Sequence, residues 1–439
     1  MTPFGPLFVP EQLLAAVSDQ AWFEAMIEFE SALARAEAAA GVVPSEAANA
    51  IADACRLELY DLGQLLEQGR AVGNPAEPLV RALRQRVGHD AAGYVHRGAT
   101  SQDVLDTASM LVSRRALDLV SRELDRVAAA LAALTEEHRS TPMAARTLLQ
   151  QAVPETFGYK AAGWLVAVLD ARRRLGHVRT KRLAVQLGGA AGTLAALEGQ
   201  GLEVVRLFAA ELELAEPELP WHTNRTRVAE LGGALDMCAS VHAKIGLDLV
   251  LLAQTEVGEV RERTDGGSST MPHKRNPVRS VLARACAELV SGYASVLARS
   301  VVLEHERAAG AWHAEWEAIS GALAYTGGAA WNIAEALEGL DVDASRMEQN
   351  LELTGGLIVT ERVALALGGG DAHDIVRDGV LRSAESGRTF AEELRADDRV
   401  ELSEGELTVA LDPKTYLGSA EAFVDRALER YRAEGGSAT

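Results

Sequence analysis

The chain has 439 residues, of which 48% are hydrophobic and 24% are charged, a composition typical of a folded globular protein. Its net charge of −20 disfavours binding to nucleic acid and docking to an anionic membrane. The three cysteines, Cys55, Cys238 and Cys286, are far apart and indicate neither a disulfide framework nor a zinc site. The N-terminal segment lacks a signal-peptide pattern, and no run of 18 apolar residues occurs. We therefore expect a cytoplasmic protein.

The pattern of apolar residues is helical along most of the chain. Aromatic residues make up only 5% and alanine is abundant, which favours helices over sheets. A first helix is predicted over 20–39, followed by shorter helices that Gly73-Asn74-Pro75 interrupts. Long helices are predicted over 109–137, over 226–260 and from Pro277 to about 306. No convincing series of strands is seen.

These elements predict an all-α protein with three helical domains. The expected boundaries are 1–100 for an N-terminal helical domain, 101–350 for a central bundle of long helices and 351–439 for a C-terminal helical domain. In the first long helix, Leu117, Val120, Leu124 and Val127 recur at spacings of three and four residues. Such a stripe packs against other helices, and it can extend across subunits.

The segment 264–277, TDGGSSTMPHKRNP, differs from the long helices on either side of it. Gly266 and Gly267 allow backbone conformations that other residues avoid, and serines, Lys274 and Asn276 follow. A polar loop that can close over a ligand is a common form of active-site lid. The alternative for a Gly-Ser loop is a flexible surface connection, but the MPHKRNP that follows makes this loop unusual.

The loop resembles the signature loop of the fumarase/aspartase superfamily in its eleven residues GSSTMPHKRNP. Two further segments resemble superfamily motifs and occur in the expected order. Residues 96–103, HRGATSQD, are similar to HxGxTSxD, and Arg146-Thr147 with the PETFG of 154–158 is similar to RTH…PTTFG. The resemblance extends from about residue 10 to about residue 380.

This resemblance implies an all-α homotetramer whose active sites are each built from three subunits and need no metal or other cofactor. The substrate would be a small polycarboxylate, and the reaction a β-elimination or its reverse through an enediolate. Ser268 would be the catalytic base, and Lys274 would help to stabilise its alkoxide.

The other candidate site residues would bind substrate carboxylates or the enediolate. They are Arg146, Thr147, Thr100, Ser101, His96, Gln150, Asn276, Ser269, Met271, Arg225 and Arg307. Several of them have structural alternatives. Thr100 and Ser101 are typical helix N-cap residues, Arg146 could form a surface salt bridge, and His96 could be a buried structural histidine. Arg225 could belong to a helix start.

Two departures from the superfamily pattern bear on the reaction. In fumarase and adenylosuccinate lyase the RTH segment carries a histidine for acid chemistry on the leaving group. This chain has Leu148 there, and Gln151 at the second position where adenylosuccinate lyases place a histidine. A carboxylate leaving group needs no such acid, because its pKa is near ~4.

The departures favour the superfamily branch that forms a lactone from 3-carboxy-cis,cis-muconate in protocatechuate breakdown through the β-ketoadipate route. In these cycloisomerases a carboxylate of the substrate adds to the substrate's own double bond. The segments PWHTNR at 220–225 and GAWHAEW at 310–316 resemble segments of the bacterial cycloisomerases.

Three alternatives remain open. Another β-elimination lyase with a weakly basic leaving group, such as a nitrosuccinate lyase, fits the missing histidine equally well. Adenylosuccinate lyase would require the two histidines that Leu148 and Gln151 replace. An inactive structural relative would keep the fold, but it would have no use for the intact Ser-Lys loop.

Overall fold

The computed structural model describes residues 4–263, 271 and 274–435, and helices dominate this part of the chain. The predicted all-α class is confirmed. The chain divides into two compact units, each assembled from three stretches. The first comprises Met1–Leu124, Asp170–Lys244 and Leu282–Asn332, and the second comprises Asp125–Leu169, Ile245–Val281 and Ile333–Thr439. The three-domain boundaries expected from sequence stay a prediction.

The first hundred residues form mainly short helices, as predicted. Their bounds are α1 Gly5–Phe8, α2 Glu11–Ala16, α3 Asp19–Ala39, α4 Ser45–Ala54, α5 Leu62–Val72, α6 Ala76–Arg86 and α7 His89–Ala92. Helix α3 is the helix expected over 20–39, and the Ser18 side chain caps it by accepting a hydrogen bond from the Ala21 N–H. Gly73 ends α5 in the left-handed conformation, with φ of 76°, so the predicted interruption is confirmed.

In the middle of the chain, the described residues form the long helices and four short strands. The elements are α8 Ser101–Glu137, β1 Pro142–Thr147, β2 Gln150–Thr156, α9 Phe157–Lys181, α10 Gly201–Glu211, α11 Thr226–Leu252, β3 Val260–Glu262, α12 Val278–Arg299, α13 Ala311–Glu338 and β4 Leu340–Val342. The predicted apolar stripe of α8 is fully buried. Burial of each such side chain stabilises the fold by about 1.5–3 kcal/mol.

The C-terminal region returns to short helices. They are α14 Ala344–Leu351, α15 Thr360–Leu367, α16 Ala372–Ser386, α17 Phe390–Arg395, α18 Glu404–Leu411 and α19 Ala420–Ala433. Phe390, Leu394 and Val363 are fully buried members of an apolar cluster in this region. Helices α17 and α18 both begin with a capping box, in which a Thr or Ser and a Glu three residues later satisfy each other's backbone N–H groups.

Two predicted helix ends were wrong. Helix α11 stops at Leu252 instead of about 260, because the chain turns at Gly258, with φ of 65°, and then enters β3, which pairs antiparallel with β4. Helix α12 stops at Arg299 instead of about 306, where the Ser300 hydroxyl donates to the Leu297 carbonyl at 2.6 Å. That bond occupies one of the carbonyls that a continuing helix would use.

The hairpin of β1 and β2 was not predicted. The strands pair antiparallel with Thr147 opposite Gln150, so Leu148 and Leu149 alone form the turn. Both residues have positive φ, 50° and 64°. Two-residue hairpin turns of this kind normally contain Asn and Gly, and neither residue is present here to signal a turn.

Candidate active site

A buried carboxylate organises the start of α8. Asp103 is fully buried, and its two oxygens accept four hydrogen bonds. One oxygen accepts from the Gly188 N–H at 3.0 Å and contacts His222 Nε2 at 2.7 Å. The other accepts from the N–H groups of Gly189 at 2.9 Å and Thr100 at 3.0 Å. Asp103 therefore joins the HRGATSQD segment to a second loop and to His222.

The loop that Asp103 holds depends on its glycines. Gly189 has φ of 69°, and a Cβ placed on it would come within 2.7 Å of the Gly98 carbonyl oxygen. A Cβ on Gly188 would come within 2.8 Å of His222 Cε1. The glycines permit this close approach of two backbones, as glycine does where a side chain has no room. The loop follows no strand and precedes no long helix, so it differs from the glycine-rich turn of a dinucleotide-binding βαβ unit.

Arg307 and Thr100 meet beside this loop. Arg307 donates from Nη1 to the Thr100 hydroxyl at 2.8 Å, and from Nη2 to the carbonyls of Gly189 and Ala190 at 3.3 and 2.9 Å. Thr100 immediately precedes α8, and Ser101 is its first residue. The structure thus brings three predicted site residues together at a helix N-terminus, where partial positive charge and free N–H groups favour an anion.

Arg225, also predicted to contact substrate, lies in a closed ion-pair network. It is 1% exposed, and all five of its N–H donors are used. They bond to both oxygens of Asp106, to both oxygens of Glu315 and to the Trp221 carbonyl. Burial opposes the charged form, but the two carboxylates more than offset it and raise the pKa of Arg225. No donor is left for a substrate, so Arg225 holds other groups in position.

His96 pairs with a buried acid. Its Nδ1 lies 2.7 Å from Glu30 Oε1, and its φ is 61°. Burial opposes protonation of the ring, but the Glu30 carboxylate outweighs burial and raises the pKa of His96. The side chain retains a small exposed fraction, and substrate contact by His96 stays a prediction.

The second unit contains Arg146, on β1. Its guanidinium forms a bidentate ion pair with Glu259, with Nη1 and Nη2 at 2.9 and 2.7 Å from the two carboxylate oxygens. Glu259 is fully buried, whereas Arg146 is half-buried. Arg146 therefore forms a salt bridge, as considered from sequence, but its partner is buried. The exposed part of Arg146 can still contact a substrate.

The tip of the hairpin is open to solvent. Thr147 and Gln150, both predicted site residues, are exposed and lie opposite each other across the turn. Leu148, which occupies the position of the superfamily histidine, is 96% exposed. Leu149, the other residue of the turn, is 75% exposed.

The signature loop is described only in part. Ser268 and Ser269, the predicted base and its neighbour, lie outside the described residues. Met271, Lys274 and Asn276 are exposed, and the Lys274 N–H donates to the Met271 carbonyl at 2.9 Å. Their predicted contacts with substrate stay predictions.

The acidic residues that fix the site geometry were missed from sequence. They are Asp103, Asp106, Glu259 and Glu315. A signal was available for the first two, because Gln102, Asp103 and Asp106 place polar groups at helical spacing on the first turns of α8. Buried charges are costly unless paired, so their presence on an apolar helix face indicates partners.

Each of the two units, taken by itself, offers groups that suit binding of an anion. The first unit offers Arg307, Thr100 and a helix N-terminus, and the second offers Arg146. Among the described residues no cluster of three or more His, Cys, Asp or Glu could hold a metal ion. The expected absence of a cofactor stays a prediction.

The fold and these motifs define a class of enzyme. Residues 10–292 match the family described as Lyase, and residues 356–427 match the family described as the adenylosuccinate lyase C-terminus. The chain belongs to the lyase family, and the expected membership of the fumarase/aspartase superfamily is confirmed.

Individual relatives are similar over nearly the whole chain. The 3-carboxy-cis,cis-muconate cycloisomerase of Pseudomonas aeruginosa is 46% identical, covering 98% of this chain and 97% of the relative. Nitrosuccinate lyase of Streptomyces davaonensis is 48% identical, covering 94% of this chain and 91% of the relative. The crystal structure of 3-carboxy-cis,cis-muconate lactonizing enzyme from Pseudomonas putida superposes with a TM-score of 0.93 at 41% identity, covering 98% of this chain and 99% of that one.

Proposed function

We propose that the protein is a 3-carboxy-cis,cis-muconate cycloisomerase. The observation that carries this proposal is the similarity, over nearly the full length of both chains, to cycloisomerases in sequence and in solved structure. The pathway would be the breakdown of protocatechuate through β-ketoadipate, in the cytoplasm.

The reaction adds one proton to the ionised substrate, and that proton comes ultimately from water. One carboxylate oxygen of the substrate bonds to an alkene carbon, and the alkene electron pair moves toward a neighbouring carboxylate to give an enediolate. A proton then adds to the carbon alpha to that carboxylate and completes the lactone. Ser268 transfers this proton, and Lys274 with Asn276 stabilises the enediolate.

Leu148 is consistent with this chemistry. In lactone opening, the reverse direction, the group that departs is a carboxylate, which is a weak base and needs no proton donor. An apolar residue can therefore stand where other superfamily members require histidine. Arg307 with Thr100 would bind a substrate carboxylate, and so would Arg146.

The assembly would be a homotetramer with shared active sites. Helix α12 leaves Val281, Leu289 and Val296 exposed at spacings of eight and seven residues, which places them on one face. By length and composition α12 is also the one helix among the described residues apolar enough to cross a membrane. We assign its exposed stripe to contact with other copies of the chain.

The test is turnover of 3-carboxy-cis,cis-muconate, followed by the loss of diene absorbance. Wild-type protein should consume the substrate, whereas Ser268→Ala should lose at least about 1,000-fold in kcat, equivalent to about 4 kcal/mol. Equal rates for the two proteins, with native circular dichroism in both, would remove Ser268 from the mechanism.

A second candidate is a nitrosuccinate lyase, favoured by the 48% identical relative of that name. Nitrite, like a carboxylate, is a weak base that leaves without a proton. Release of nitrite from nitrosuccinate, with no consumption of the muconate, would establish this alternative.

A further inference from the structure

The Arg146 guanidinium has one occupied edge and one open edge. Nη1 donates to Glu259 and to the Ala144 carbonyl, and Nη2 donates once, to Glu259. Since a guanidinium carries five N–H donors, the Nε–H and the second Nη2–H remain. Neither has a partner among the described residues, and the side chain is 22% exposed.

The open edge has the geometry that recognises a carboxylate. The Nε–H and the adjacent Nη2–H are parallel and coplanar, which suits two oxygens of one carboxylate. Glu259 occupies the other edge in the same bidentate manner, at 2.9 and 2.7 Å. The plane of the guanidinium, and so the direction of its open edge, is therefore set by Glu259.

Glu259 is itself rigidly held. It is fully buried, and Asn350 Nδ2 donates to its Oε1 at 2.7 Å and to the Val257 carbonyl at 2.9 Å. Gln151, which faces Arg146 across the hairpin, donates to the Asn350 carbonyl at 2.8 Å. Both strands of the hairpin are thus tied to one buried cluster, Glu259 and Asn350.

We propose that Glu259 is a positioning residue that presents the Nε–Nη2 edge of Arg146 to a carboxylate of the substrate. The identity of that substrate rests on the proposed function, but the role of Glu259 requires only an anionic ligand. Glu259 does not touch the substrate, and it acts through the orientation of Arg146.

Two effects of Glu259 on ligand binding have opposite signs. Its negative charge weakens the attraction of Arg146 for an anion, whereas its geometry aligns the open edge. Glu259→Gln removes the negative charge at nearly constant side-chain volume. The N–H groups of the new amide then face the N–H donors of Arg146 and Asn350, with which they cannot form hydrogen bonds. If alignment dominates, KM rises by about tenfold or more with kcat changed less than about threefold, because binding common to ground and transition states is lost. If charge dominates, KM falls.

A double-mutant cycle separates this role from general destabilisation. Steady-state KM and kcat are measured for wild type, Glu259→Gln, Arg146→Gln and the double variant. Glu259→Gln should raise KM in the wild-type background and change it less than about twofold when Arg146 is already replaced. A KM that is unchanged or lower in the single variant, or raised equally in both backgrounds, would overturn the proposal.

The matched control is Glu393→Gln. Glu393 is also a buried acid of the second unit, paired with Arg382 and Ser386. The Glu393→Gln substitution should lower the melting temperature of the protein without changing its KM.

A wrong substrate assignment can be distinguished from a wrong role for Glu259. If wild type does not consume 3-carboxy-cis,cis-muconate, the proposed substrate is wrong, and the same cycle is measured with nitrosuccinate. If neither is consumed, calorimetric binding of the muconate is measured for the four proteins. Additive effects on its dissociation constant, or no binding by wild type, would overturn the inference.

Discussion

At the scale of single residues, Asp103 joins three backbone N–H groups and His222 in the candidate site. Its carboxylate accepts from three backbone N–H groups and contacts His222, without any exposure to solvent. A buried carboxylate with this many donors stabilises its surroundings only while all four are satisfied. The position of Thr100, and through it that of Arg307, follows from this centre.

Asp103→Asn should lower kcat/KM by about 100-fold, equivalent to about 2.7 kcal/mol. The amide presents N–H groups to two of the four donors, so the Gly188–Gly189 loop or Thr100 must move. Asp118→Asn is the control, because Asp118 is a partly exposed acid on the same helix that pairs with Arg179. Steady-state kinetics that show the same loss for both variants would contradict this role.

Glu37 gives the fold a pH dependence. Its carboxyl group is buried, and burial, with repulsion from Glu30, raises its pKa to about 8, although Arg97 acts in the opposite direction. The folded state therefore holds a proton that the unfolded state releases above its ordinary pKa of 4.5. Because the folded pKa is raised, the resulting stability is present below pH 4.5 and is lost as the pH rises through 8.

Glu37→Gln should remove this dependence. Between pH 5 and 8 the free energy of unfolding of wild type should fall, relative to the variant, by on the order of 2–4 kcal/mol. Urea unfolding at several pH values measures it, with the exposed Glu46→Gln as control. Parallel curves for wild type and Glu37→Gln would show that Glu37 is ionised in the folded state.

Among the elements, α12 depends on a cap from a neighbouring strand. Glu262, on β3, accepts from the backbone N–H groups of Arg279 at 3.0 Å and Ser280 at 2.9 Å. These are among the donors that a helix leaves unsatisfied at its start. A carboxylate there also interacts favourably with the helix dipole.

Glu262→Ala should therefore lower the free energy of unfolding by about 1–2 kcal/mol. Chemical denaturation measures the loss. Glu288→Ala, at an exposed position within α12, should change it by less than about 0.5 kcal/mol. A loss no larger for Glu262 than for Glu288 would show that the cap is not needed.

The elements also show what could be predicted from sequence. The long helices were predictable because their apolar stripes recur every three or four residues, as Leu117 and Val120 illustrate. The hairpin was not, because Leu148 and Leu149 take positive φ without the residues that usually signal it. The anionic partners of Arg146 and Arg225 were also missed, since ion pairs such as Arg146–Glu259 join residues distant in sequence.

At the scale of the whole molecule, we expect self-association. Four copies of 46.7 kDa give about 187 kDa, which light scattering after gel filtration can measure. Leu289→Glu, which places a charge on the exposed stripe of α12, should give smaller species and reduced activity, because burying an unpaired charge is costly. The neighbouring exposed Glu288→Gln should leave the assembly intact. A wild-type monomer, or a Leu289→Glu tetramer with full activity, would contradict the proposed assembly.

The assignment as a cycloisomerase is tested by comparing kcat/KM for 3-carboxy-cis,cis-muconate and nitrosuccinate in one preparation of the wild-type protein. Diene loss and nitrite release report the two reactions separately. We expect a kcat/KM for the muconate at least about 100-fold higher than for nitrosuccinate, a difference of about 2.7 kcal/mol in transition-state binding. A higher value for nitrosuccinate, or no lactone formed from the muconate, would contradict the assignment as a cycloisomerase.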